Sequence, residues 1–219
     1  MNTHALPVVL KFRKSSAARW LSHLDVIRVL ERAIRRAGLP IMYSQGFNPR
    51  PRMAFGPPLP LGATSDAEMI VLRLAQPMDP SELKERLNAQ LPDGVEAIEA
   101  RTVTDDRPAL GPISGSSYTA RAVCRAKDPA EAAAEAVREF MSRDEECVER
   151  SNKGFGRRVD IRPSVEVLEV LDCDGPIVSM RFGISHKARN AARPVEIMKA
   201  LSKPGREFEL VSLHRESLY

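Results

Sequence analysis

Residues 41–62 constrain the fold more than any other stretch, because they hold five prolines and three glycines among two arginines and two phenylalanines. Proline fixes φ and removes a backbone donor, while glycine enters backbone conformations that other residues avoid. Neither a continuous helix nor a central strand passes through such a stretch, so it must be a shaped, stiff excursion. Ordinary connections are shorter, which marks the excursion as a place where a chain carries function.

Regular elements flank it. Residues 6–13 alternate as a strand, and Ser22 with Asp25 three positions on predicts a capping box opening a helix. Leu24, Ile27, Leu30, Ile34 and Ala37 recur at helical spacing as its buried stripe, and Gly38 and Pro40 end it. A short strand over 53–55, a strand over 68–74, a helix over 80–91 and a strand over 95–103 complete a β-α-β-β-α-β order, the split βαβ pattern. Pro108, Gly111, Pro112 and Gly115 predict a linker over 105–117. The rhythm then repeats: strands over 118–125 and 147–150, a helix over 129–141, strands over 165–171 and 177–184 around an Asp-Gly turn, a helix over 194–201 and a strand over 209–213. The expected fold is α+β, two tandem ferredoxin-like units (1–104 and 118–219) with mostly antiparallel sheets. One continuous α+β sheet is the alternative.

Composition removes several function classes. Cys124, Cys147 and Cys173 form no C-x-x-C pair, so neither a structural zinc nor a cysteine-held iron–sulfur cluster is expected, and their odd number fits a reducing cytoplasm. His4, His23, His186 and His214 are scattered and predict no metal site. There is no Walker loop, no G-x-G-x-x-G and no G-x-S-x-G elbow. No apolar run reaches the roughly 20 residues needed to span a bilayer, and the first residues show no signal-peptide pattern. A soluble binding protein without a cofactor of its own is the expectation. The net charge of +4 is mild, so only local clustering of basic side chains focuses a field.

Two stretches cluster them. In the first, Phe47, Asn48, Arg50 and Arg52 stand on the proline-rich excursion. An aromatic on a stiff loop stacks on a base, and arginine forks clamp phosphates, which is how single-stranded nucleic acid is held. In the second, Lys153, Phe155, Arg157, Arg158 and Arg162 follow one another, and Gly154-Phe155 echoes Gly46-Phe47. Arg28, Arg32, Arg35 and Arg36 stripe the first helix, where Asp25 and Glu31 are spaced to pair with Arg28 and Arg35. Asp160, between Arg158 and Arg162, suits a salt bridge or a nucleophile and not a general acid. With His23 it is the candidate for any catalytic role.

The runs Trp20-Leu-Ser-His-Leu-Asp25, Glu31-Arg-Ala-Ile-Arg-Arg-Ala-Gly-Leu-Pro40, Tyr43-Ser-Gln-Gly-Phe-Asn-Pro-Arg-Pro-Arg52, Pro57-Pro-Leu-Pro-Leu-Gly62 and Val159-Asp-Ile-Arg-Pro163 resemble the radical-SAM-linked family, a bacterial domain of unknown function. The resemblance implies partnership with a separate radical S-adenosylmethionine (SAM) protein, and RNA as substrate. Arg50 departs from it, since many relatives carry histidine there. The chain lacks C-x-x-x-C-x-x-C, so any radical cluster belongs to the partner. The expected function is therefore an accessory that presents RNA to a radical SAM enzyme. Two alternatives stand beside it. One is an RNA-modifying or RNA-cleaving enzyme, similar to pseudouridine synthases or to CRISPR endonucleases, using Asp160 or His23. The other is a purely protein–protein adaptor.

Overall fold

A computed structural model describes residues 7–103, 110–152, 155–188 and 190–219, with the side chains of Asn152 and Phe155 set aside. The chain divides into two compact units, residues 1–113 and 114–219. Each is α+β, and the described residues hold four α-helices in all.

The first unit runs β1 (Pro7–Lys14), a 3-10 turn (Ser16–Trp20), α1 (His23–Arg36), β2 (Met53–Phe55), β3 (Thr64–Arg73), α2 (Pro80–Asn88) and β4 (Val95–Thr102). Its strands lie side by side as β4-β1-β3-β2, every ladder antiparallel. Val8, Leu10 and Phe12 on one face of β1, with Ile70 and Leu72 of β3, pack under Leu30 and Ile34 of α1 and Leu83 and Leu87 of α2. The capping box forms as the sequence predicts: Asp25 N–H donates to Ser22 Oγ, and Ser22 N–H donates to the Asp25 carboxylate. The buried stripe differs from the predicted one. Val26, Leu30, Ala33 and Ile34 face the sheet, while Leu24 is exposed. Apolar residues crowd both registers of α1, and the sheet beneath, not the helix period, selects between them. α2 stops at Asn88, short of the predicted Leu91, and the Asn88 side-chain amide clasps the Ala97 backbone of β4 at 2.8 and 2.9 Å.

The second unit runs β5 (Gly115–Arg125), α3 (Pro129–Met141), β6 (Cys147–Asn152), β7 (Phe155–Asp160), a 3-10 turn (Arg162–Ser164), β8 (Val165–Asp174), β9 (Ile177–Ser185), α4 (Pro194–Leu201) and β10 (Glu207–Leu218). Four strands lie as β10-β5-β9-β8, again antiparallel, and β6 and β7 form a separate hairpin. Ala133, Ala136 and Phe140 of α3 and Ile197 and Leu201 of α4 are buried with Ala122, Met180 and Phe182 of the sheet.

The predicted linker ends sooner than the sequence implied. Residues 105–109 of it lie outside the described residues, and Gly115, Ser116 and Ser117 already belong to β5. Their polarity reads as loop, but each finds a partner: Ser116 Oγ lies 3.0 Å from His186 Nε2, and Ser117 Oγ donates to Glu216 at 3.0 Å. β10 likewise extends beyond the predicted 209–213.

Candidate functional site

The excursion of the first unit is a pinched hairpin. Tyr43 bridges Pro51, Ser44 N–H donates to Arg50 O at 2.8 Å, and Arg50 N–H donates to Ser44 Oγ at 3.0 Å. Its base is tied to the end of β3: Arg52 N–H reaches Met42 O at 2.7 Å, Met42 N–H reaches Arg73 O at 2.8 Å, and Arg73 N–H reaches Arg52 O at 3.2 Å. Gly46 turns the chain at φ +122°, a left-handed backbone that favours glycine. The residue after it, Phe47, is carried at the tip with 105% relative exposure, so its ring touches almost nothing.

Asn48, Arg50 and Arg52 are exposed along the same hairpin. Arg73 joins them through the backbone junction, and its side chain is exposed as well. Among the described residues none of these three guanidinium groups has an acidic partner within 4.0 Å. Arg73 escapes a sequence reading because it closes an apolar strand and looks like an ordinary strand end. The only sequence signal for it is a charge at the last position of a buried run.

The face of α1 carries further exposed arginines. Arg28 pairs with Asp25 at 3.3 Å, as predicted. The predicted Glu31–Arg35 pair does not form, and Arg36 instead donates to Gln90 O at 2.5 Å.

His23 sits at the first turn of α1 with its ring edge-on to Phe55, centroids 5.4 Å apart. It lines a narrow crevice with Lys14, Glu68 and Met69, with room for about one water. Lys14 is almost wholly buried there, donating to Arg19 O at 3.2 Å and Leu21 O at 2.8 Å. Burial holds its pKa below the ordinary lysine value, against the pull of Glu68. The ammonium thus ties the 3-10 turn to β1, at a point that closes the carbonyls ahead of the Ser22 cap.

In the second unit the basic hairpin spends most of its charge internally. Arg150 spans from β6 to α4, with Nε on Glu196 Oε1 at 2.8 Å, Nη2 on Oε2 at 2.7 Å and Nη2 also on Ala191 O at 2.7 Å. Burial pushes the Glu196 carboxyl up, but the Arg150 fork and the Arg193 N–H outweigh it, and the group titrates below the usual carboxylate range. Arg158 pairs with Glu145 at 2.9 Å. Arg162 caps carbonyls, donating to Met141 O at the end of α3 and to Val165 O. Of the predicted arginines here, Arg157 alone is exposed without a partner among the described residues. Lys153 lies outside the described residues, as does the Phe155 side chain.

Asp160 makes no salt bridge to its arginine neighbours. Its Oδ1 accepts the backbone N–H groups of Glu146 at 2.9 Å and Arg162 at 3.0 Å, which joins the two ends of the hairpin. Backbone donors lie closer to a half-buried carboxylate than the ends of arginine side chains do, and they win. Among the described residues no group of three or more His, Cys, Asp or Glu stands where it would hold a metal, and no helix is long and apolar enough to cross a membrane.

The family model of an uncharacterized protein conserved in bacteria (DUF2344) matches residues 8–194. The chain belongs to this family. No curated protein matches it. Among solved structures, a chain of a Cbf5-Nop10-Gar1 complex aligns with 96% of this chain at 14% identity and a TM-score of 0.54. A chain of an archaeal box H/ACA sRNP Nop10-Cbf5 complex aligns with 95% at 14% identity and a TM-score of 0.49. The chain spans about half the length of these two, 48% and 46%. At such identity the first likeness is one of fold alone.

Proposed function

We propose that this DUF2344 protein binds single-stranded RNA through the 42–52 hairpin and presents it to a separate enzyme, a radical SAM protein by the resemblance of its sequence. One observation carries the reading: a fully exposed Phe47 on a tied hairpin, beside Arg50, Arg52 and Arg73 without acidic partners among the described residues. A free aromatic face on a rigid tip is what base stacking needs, and stacking contributes about 1–3 kcal/mol per base. The arginine forks supply phosphate contacts around it. The hairpin is pre-shaped by its prolines and its backbone ties, so little ordering entropy opposes binding.

Both units follow the strand order of the split βαβ pattern, and we read them as tandem ferredoxin-like units. The three free cysteines favour a cytoplasmic setting. In this reading Asp160 and His23 are structural, and the chemistry belongs to the partner.

The test is a titration of fluorescein-labelled single-stranded RNA, and of a duplex of the same length, at low salt. Tighter binding of the single strand is expected, weakened roughly 5- to 150-fold by Phe47→Ala, the equivalent of losing one stacked base. Absence of RNA binding, or an affinity that ignores Phe47→Ala, overturns the proposal. If the same variant instead abolishes capture by a purified radical SAM protein, the hairpin is a protein-docking tip.

A further inference from the structure

We infer that the RNA site is longer than the 42–52 hairpin: a single strand anchored on Phe47 continues over the outer face of α1 to Trp20, a second stacking platform. The inference rests on the RNA reading of the hairpin and extends it along the first unit.

The two ends of α1 are fixed to the two ends of β3. Ahead of the helix, Gly62 N–H donates to Arg19 O at 2.9 Å, and Gly62 stands two residues before β3. Behind the helix, Ile41 bridges Leu74, and Ala75 N–H donates to Pro40 O at 2.7 Å, just past the end of β3. α1 therefore runs along the whole strand, about 33 Å for its ten residues. Its far end leads into the hairpin base at Met42, so Trp20 and Phe47 mark opposite ends of one track.

The surface between them is basic. Arg28, Arg32 and Arg35 are exposed and fall within about 60° of one another around the helix axis, opposite the buried Val26, Leu30 and Ala33. Arg32 and Arg35 have no acidic partner within 4.0 Å among the described residues. Two carboxylates share the helix: Asp25, held by the Ser22 cap and paired with Arg28, and the half-buried Glu31. The guanidinium groups outnumber them, and the exposed Arg19 and Arg36 at the two ends add to the excess.

At the start of the track the Trp20 side chain is 63% exposed, with the Arg19 guanidinium 5.0 Å from its ring centroid. The ring rests against Gly62, where a Cβ would lie 3.3 Å from it, so the indole is seated without being buried. Bases stack on aromatic rings and on arginine planes alike, and the Arg19–Trp20 pair offers both. Aromatic platforms at the two ends with guanidinium groups between them fit a flexible polyanion that carries bases, a single strand of RNA. A duplex keeps its base faces stacked inside and satisfies neither end.

Trp20 is the one tryptophan of the chain, so its emission reports on this end alone. The test titrates unlabelled RNA strands of four and twelve nucleotides into the full chain; at the stacked spacing of 3.4 Å they cover about 14 and about 40 Å. The longer strand is expected to change Trp20 emission, and Phe47→Ala to move the midpoint of that change roughly 5- to 150-fold towards higher RNA. With the shorter strand, Phe47→Ala leaves the midpoint of any such change in place. Replacing Arg32 and Arg35 together by alanine should lower the salt slope of the longer strand by about 1.4, the share of two phosphate contacts. All three side chains are exposed, and unchanged thermal melts confirm that the variants are folded. Trp20 emission that ignores the longer strand, or a midpoint that ignores Phe47→Ala, overturns the inference. Labelled RNA that still binds in a Phe47-dependent way then leaves the hairpin reading standing without it, whereas no RNA binding at all overturns both. A purified radical SAM protein that changes Trp20 emission where RNA does not makes this end a protein-docking surface, and the inference fails.

Discussion

Replacing Asp160 separates a latch from a catalyst. Its Oδ1 accepts Glu146 N–H at 2.9 Å and Arg162 N–H at 3.0 Å, so one carboxylate closes the base of the β6–β7 hairpin from both strands. Hydrogen bonds to a charged group contribute about 1.5–3 kcal/mol each. The two share one oxygen and are not independent, and the side chain is only half-buried, so water replaces part of the loss. Asp160→Ala should therefore cost about 2–4 kcal/mol, and Asp160→Asn, which keeps the acceptor but not its charge, about 1 kcal/mol. With a urea slope of about 2 kcal/mol/M, the alanine variant lowers the midpoint of the second unit by about 1–2 M. Amide exchange is the sharper assay. The Glu146 and Arg162 amides should exchange about 30- to 1000-fold faster in Asp160→Ala, with a far smaller change in Asp160→Asn. Unchanged exchange at both amides in the alanine variant refutes the latch. An asparagine variant that keeps the latch and yet loses an activity on RNA would return Asp160 to the role of catalyst.

Leu30→Ala removes a fully buried side chain from under α1 and should cost about 2–5 kcal/mol, read as a lower urea midpoint with an unchanged slope. Glu139 is hydrogen-bonded by Lys203 and by Arg206, which hold its pKa down at about 2. A folded-state value below the unfolded one stabilises above the ordinary carboxylate range, and that stability is lost as the pH falls from there through about 2. Glu139→Gln should accordingly flatten the acid limb of a stability–pH curve and leave its alkaline limb in place. A Cβ on Gly115 would lie 2.5 Å from the Tyr219 ring, so Gly115→Ala should displace the end of the chain and speed exchange at the Ser114 and Gly115 amides, which donate to Tyr219 O. Arg73→Ala should lower the salt slope of RNA binding by about 0.7, the share of one phosphate contact to a single strand.

What the sequence made legible was local. The Ser22–Asp25 box depends on four residues, and it formed. The proline-rich excursion announced itself because proline and glycine act on their own φ angles. The phase of α1 was not local: Leu24 and Ile27 match the helix period as well as Val26 and Ala33 do, and the sheet decides. Ser116 and Ser117 read as linker because their partners, His186 and Glu216, lie 70 and 99 positions away. Arg162 read as a contact residue because the carbonyl it caps belongs to Met141, 21 positions earlier, at the end of another element.

The echo between Gly46-Phe47 and Gly154-Phe155 is the point where sequence and structure part most usefully. Both stretches are arginine-rich and both fold as hairpins, so a count of motifs treats them alike. Their surroundings do not. The second hairpin lies among Glu145, Glu196 and the carbonyl end of α3, and Arg150, Arg158 and Arg162 are drawn onto them. Each such bond fixes the hairpin and removes a donor from any ligand. The first hairpin is held by its own backbone, through Met42, Arg52 and Arg73, and its arginine side chains are not needed for that. A guanidinium that has no structural task keeps its full capacity for an anion. The first unit therefore leaves its arginine forks open to an anion, and the second uses the same residue type to build a fixed wall against α4.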